Sequence, residues 1–403
     1  LIVFLVFPLI PLILATLINM VVMTFTNLTK NKDRFRIVSG IIALFIAVGL
    51  NMFIQKFTGA TTNPQELQRI IMEGNNSFAN LVAGIFPSTR FAVLALINRA
   101  SWVGLVNLIF LLLITLGFLG IFFLLGQRLY FRGVVGISEA ASRRKRLSEE
   151  EFSRSTRQNS GIKSYTLKEL RILFRTPTYF LNCILMNFLW PLFLIIPIMT
   201  QPDRGDFLQL VGSFISDESR TGIVLAGAFV LTVFVSATNN ITSTSISREG
   251  RNFFVLKYLP MSYEKQIMAK VLSGVAMGLV GLLVLIIAAL VLLSPPLYLV
   301  LLTLIAGVIG IFFTSFLGML IDLHFPKLDW DNEQKAVKQN FNSVINMFLS
   351  LLFAGISLLL VFIFRLKLPL AFLLIVAVYG LLDLLLYRIL LTRGAKQLAE
   401  MEG

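Results

Sequence analysis

Apolar residues run through this chain in long unbroken stretches, interrupted by short polar ones. Nine stretches are long enough to cross a hydrocarbon core, which takes about 20 helical residues. They are Leu1–Met23, Ile37–Ile54, Trp102–Leu125, Tyr179–Thr200, Gly222–Ser243, Val271–Leu293, Leu297–Leu320, Val344–Phe364 and Leu368–Tyr387. Eight hold no Asp, Glu, Lys or Arg, and the last holds Asp383 alone. Spanning strands would alternate over about ten residues, and these runs do not alternate. The pattern predicts an all-α polytopic membrane protein with about nine transmembrane helices.

Composition agrees. Of 403 residues, 57% are hydrophobic and 14% charged, whereas a soluble domain has about 45–50% and about 25%. A soluble enzyme, a disordered chain and a nucleic-acid-binding domain are excluded. One cysteine (Cys183) and one histidine (His324) cannot make a disulfide framework or a His/Cys metal centre. Neither a cofactor nor a metal is expected. The net charge of +14 is then read through loops rather than through nucleic acid. Alternate loops carry 27 Lys and Arg on one side and 8 on the other. The richer set should be cytoplasmic, together with the C-terminus. This predicts a multi-pass protein of a bacterial plasma membrane, with membrane lipids among its partners. The chain starts at Leu1 inside an apolar run, which suggests that its true N-terminus is missing.

The 126–178 stretch divides the chain. Its centre, from Ser142-Arg-Arg-Lys-Arg146 to Gly161, reads as a linker. After it, Thr166-Leu-Lys-Glu169 has capping-box spacing. Leu167, Leu170, Leu173 and Phe174 share a face of the helix that would follow, an interfacial elbow ended by Thr176-Pro177. The exits Leu129-Tyr-Phe-Arg-Gly133 and Leu390-Leu-Thr-Arg-Gly394 resemble each other. They suggest two parallel repeats of a duplicated twelve-helix permease. The expected layout is the end of a first repeat at 1–133, a basic linker at 134–165 and a six-helix second repeat at 166–403. Ser77–Ile97, broken by Pro87, predicts a re-entrant or interfacial hairpin on the outer side.

Candidate chemistry concentrates between the fifth and sixth spans, in Ser247-Arg-Glu-Gly-Arg-Asn-Phe-Phe-Val-Leu-Lys-Tyr-Leu-Pro-Met-Ser262, continuing to Lys270. Gly250 and Pro260 bracket a helix of about two turns. The Arg-Glu pair, the amphipathic stretch, Leu-Pro-x-Ser and the later Lys resemble the type-two permease family of ATP-binding-cassette exporters, which has the type V exporter fold. The resemblance implies a permease subunit that is itself not an enzyme, with a coupling helix docked on a separate ATPase subunit. It assigns that contact to Arg248, Glu249, Gly250, Asn252, Phe253, Phe254, Lys257 and Pro260. A second contact is expected at Asp329, Trp330 and Glu333.

Two other readings compete. An ion-driven secondary transporter would use Asp383, the lone intramembrane acid, as its coupling residue. A membrane enzyme acting on lipid-linked substrates would need a convergent set of acids or bases, and the loops show none. No Gly-x4-Gly-Lys-Ser/Thr run occurs, so P-loop binding of ATP is not expected of these residues. The substrate is not legible. Gly274, Gly278 and Gly281 suggest close helix packing.

Overall fold

The computed structural model describes residues 2–25, several between 37 and 49, 87–138, 160–200 and 204–401. All regular structure among these is helical. The chain separates into two compact units, Leu1–Arg146 and Leu147–Gly403.

In the first unit, α1 (Ile2–Val6), α2 (Leu9–Phe25), α3 (Pro87–Ile97) and α4 (Trp102–Ser138) pack together. Val3, Ile10, Ala92, Ala95 and Leu111 form their small core. The second unit holds α5 (Gly161–Arg175), α6 (Met186–Thr200), α7 (Arg204–Ser216), α8 (Thr221–Thr238), α9 (Tyr263–Leu293), α10 (Leu297–His324), α11 (Phe341–Ile363) and α12 (Leu368–Ile389). At the centre stands α8, packed against α9, α10, α11 and α12. Its small residues permit this. Gly222 faces Ala371, and Ser236 shares a hydrogen bond of 2.7 Å with Thr314 of α10. On α9, a Cβ at Gly278 would come within 2.6 Å of Ile311, and one at Gly281 within 3.0 Å of Val235. These glycines therefore let side chains of the neighbouring helices pack directly on the α9 backbone.

Six helices, and not nine, are long and apolar enough to span a membrane among the described residues. They are Trp102–Gln127, Thr221–Thr238, Tyr263–Leu293, Leu297–His324, Glu333–Ile363 and Leu368–Glu400. The deficit has local causes. The Leu1–Met23 run breaks at Phe7-Pro8, leaving a 17-residue helix. The Tyr179–Thr200 run is split by a π-helical turn at Phe180–Ile184, so that α6 has only 15 residues. Ile37–Ile54 lies partly outside the described residues, as does the first part of Ser77–Ile97, of which Pro87–Ile97 is helical. The duplicated-exit signal also fails to repeat structurally. Leu129–Gly133 lies inside the continuous helix α4, whereas Leu390–Gly394 forms a π-helical turn. Twofold duplication finds no support here.

A buried charge cluster as candidate functional site

The Ser247–Leu259 connection is built from a 3-10 turn, Ser247–Asn252, and one short α-helical turn, Val255–Tyr258. Its base is anchored by two sets of buried charges. In the first, the Glu169 carboxylate on α5 meets Lys270 of α9 and Lys168, each at 3.1 Å, and lies 3.6 Å from the Arg248 guanidinium. Lys270 also pairs with Glu249 and donates to the Ser245 carbonyl at 3.1 Å. Arg248 donates to the Ile241 carbonyl at 2.8 Å and lies over the Tyr179 ring. Lys270 is fully buried, and Glu169 and Arg248 nearly so. Unpaired charges at such depth would be prohibitive, so mutual pairing is the condition of their presence. Burial raises the pKa of the Glu169 carboxyl, but Lys270, Lys168 and Arg248 outweigh it and hold the group at about 2. Glu169 is therefore ionised across the physiological range.

The second set centres on Asp322, fully buried at the end of α10. Its carboxylate accepts from the backbone N–H groups of Ile246 at 2.6 Å and Ser247 at 3.1 Å, from the Ser247 hydroxyl, and from the Asn342 amide at 3.0 Å. A carboxylate at the start of a helical turn satisfies N–H groups that have no partner within the turn. Ser247 is thereby fixed on every side. Its hydroxyl accepts from the Lys327 N–H, and its carbonyl accepts from the Trp330 indole at 2.8 Å. The Trp330 ring covers Gly250, whose φ of +53° suits only glycine, and a Cβ there would stand 2.7 Å from the indole.

The structure sorts the sequence candidates. Arg248, Glu249 and Gly250 belong to the anchored base. Phe253 is buried in the chain's own core beside Leu256, so it is not a free docking group. Asn252, Phe254, Lys257 and Pro260 are exposed, and with Tyr258 they form the tip. Trp330 packs on the base. Glu333 accepts from Thr178 at 3.1 Å, and Asp329 makes an exposed pair with Arg251 at 3.4 Å. Asp383 stands apart from both charged sets on α12, and its Oδ1 has no hydrogen-bond partner among the described residues. Among those residues no set of three or more His, Cys, Asp or Glu side chains is placed to hold a metal.

Glu169, Lys270 and Asp322 matter more than sequence reasoning indicated. The capping box at Thr166–Glu169 is not formed. The helix starts earlier, capped by Ser160, and the Thr166 hydroxyl donates to the Ile162 and Ala269 carbonyls. Glu169 is thus released to pair with Lys270. Lys270 and Asp322 each border an apolar run, where a charge ordinarily marks the start of a loop. Their positions at the ends of two consecutive spans were the signal available.

A family model described as "Putative ATP-binding cassette" matches residues 1–392. No curated protein matches the chain, and neither does any solved structure. The family match corrects four expectations. The resemblance to the type-two permease family does not stand, because the matching family is described as an ATP-binding cassette and not as a permease. The function as an exporter's permease subunit falls with it, as do its two alternatives. The same description ties ATP to the family of this chain itself, against the expectations of a non-enzyme and of a separate ATPase partner. With the match extending over nearly the whole sequence, the chain belongs to the family described as a putative ATP-binding cassette.

Proposed function

We propose that this protein is a membrane-embedded ATP-binding-cassette protein in which the Ser247–Leu259 segment couples ATP-driven movement to the helices around α8. The observation that carries this reading is the contrast within the segment. Its base is locked to α5, α9 and α10 by Glu169, Lys270 and Asp322, while Phe254, Lys257 and Tyr258 stand exposed at its tip. A rigid base with an exposed tip passes a push on the tip into two spanning helices at once. These 403 residues hold no Gly-x4-Gly-Lys-Ser/Thr run. The reading therefore places the ATP-linked movement in this segment and assigns no residue to phosphate binding. The loop charges support a cytoplasmic position for the tip and the C-terminus.

Maleimide labelling of Tyr258→Cys in native membrane vesicles tests it, since the one natural cysteine, Cys183, is buried. ATP should change the labelling rate at 258 several-fold and leave Lys367→Cys, at the far end of the spans, unaffected. An identical rate at 258 with and without ATP would remove the coupling role.

A further inference from the structure

The opposite end of the second unit contains a half-open cavity of about 470 Å³, lined by α7, α8, α9 and α10. That is within the size of ligand pockets, about 300–1,000 Å³. Thr303 bears the one polar side chain among its lining residues. Phe214, Leu231, Ile286 and Leu299 represent the rest of the wall. A buried water needs two to four polar partners, so this surface does not retain water and selects hydrocarbon. Gly227 also lines it, and a Cβ there would meet no atom within 4 Å. The space is real on that side, and not merely a gap awaiting a small shift.

The wall helices α8, α9 and α10 are membrane-spanning candidates, so the hydrocarbon at hand is the acyl chain of a lipid. The mouth suggests which lipid. The Arg220 guanidinium lies over the Phe214 ring at 4.6 Å and pairs with Asp217 at 3.0 Å. A cation and an anion one ring away from an apolar cavity complement a headgroup carrying both a phosphate and an ammonium. We infer that this cavity holds an acyl chain of a zwitterionic phospholipid, with its phosphate toward Arg220 and its ammonium toward Asp217. The inference stands on the geometry of this end and does not depend on the ATP-linked reading.

The test uses the whole chain in nanodiscs of phosphatidylethanolamine doped with the same lipid bearing a diazirine at an acyl terminus. Irradiation should place adducts on peptides containing Phe214 and the buried Leu299 well above those containing Leu359 and Leu384, which are exposed on the apolar surface. Gly227→Leu should cut the cavity adducts roughly tenfold, the effect of losing about two buried methylenes, and leave the surface adducts unchanged. Should that variant fail to fold, Ala289→Leu narrows the cavity from α9 instead. Arg220→Gln with Asp217→Asn should lower cavity labelling several-fold. Equal labelling of cavity and surface, or full labelling in the plugged variants, would overturn the site. Equal labelling by a phosphatidylglycerol probe would overturn the headgroup assignment.

Discussion

At one end of α9 and α10, Lys270 and Asp322 are fully buried and bound by polar partners. At the other end, near Leu293 and Leu299, roughly 35 Å away along the helix, the interior is a hydrocarbon-lined cavity. The same two helices are thus held by directional bonds at one end and by apolar contact at the other. Ion pairs and hydrogen bonds of defined geometry fix one arrangement. Apolar walls tolerate sliding and a guest, because dispersion contacts have no direction. A lever with one clamped end and one accommodating end is the physical content of this comparison. Substitutions at the two ends should differ accordingly.

The largest effect is expected from Lys270→Met. It removes the buried cation that Glu169 and Glu249 share, leaving the half-exposed Lys168 as the other cation that reaches both, and Glu169 remains deeply buried. Breaking a buried ion pair from one side typically costs about 3–5 kcal/mol. Ala289→Val, in the cavity wall, should by comparison cost less than about 1 kcal/mol, since the space admits a larger side chain. Thermal unfolding of both variants in the same detergent measures the ratio. Equal losses would abolish the distinction between the ends.

Next is Gly250→Ala. The positive φ and the Trp330 ring both oppose a Cβ, and a strained backbone position of this kind costs of order 1–3 kcal/mol. Adding Trp330→Ala relieves the steric part and leaves the backbone part, so the double variant should recover some but not all of the loss, after the separate cost of Trp330→Ala is subtracted. A double-mutant cycle read by thermal melting separates the two contributions.

The charged end should also show a pH signature that rests on a buried carboxylate. Glu169 has its carboxyl lowered from 4.5 to about 2 in the folded protein. A depressed carboxyl contributes stability fully above its unfolded value and loses it as pH falls through the folded value. Stability attributable to Glu169 should thus be level above about pH 5 and decline between about pH 4.5 and 2. The Glu169→Gln variant should be less stable at neutral pH and show a shallower decline in that window. An unchanged decline in the variant would show that other carboxyls govern acid unfolding.

Much of this was legible in sequence at the level of periods and much less at the level of partners. The apolar runs gave the helical class and the main spans, because about 20 residues without charge have few other uses. They overcounted where one local feature interrupts a run, as Pro8 and the π-helical turn at Phe180–Ile184 do. The 247–262 segment drew notice through its charges and aromatics. Its true anchors lie 78 residues upstream of Ser247 at Glu169 and 75 downstream at Asp322. Such pairings are set by helix packing, and no local window contains both members. Phe253 and Phe254 illustrate the limit most closely, being adjacent in sequence yet buried and exposed respectively. A one-residue rotation about a short helical turn decides which of the two enters the core.

The smallest expected effect belongs to the exposed pair Arg251–Asp329, at the edge of the charged end. Its members are separated by 3.4 Å, as close as some of the buried contacts, but their side chains are 80% and 93% exposed. Water and salt screen such a pair, and measured values fall at about 0–1 kcal/mol. Asp329→Asn should therefore leave the melting temperature almost unchanged and should not alter the seating of Trp330, which is held by its bond to the Ser247 carbonyl. Tryptophan fluorescence together with thermal unfolding checks both points. A loss approaching that of Lys270→Met would mean that exposed charges also clamp this end, and that depth of burial is not what distinguishes it from the apolar one.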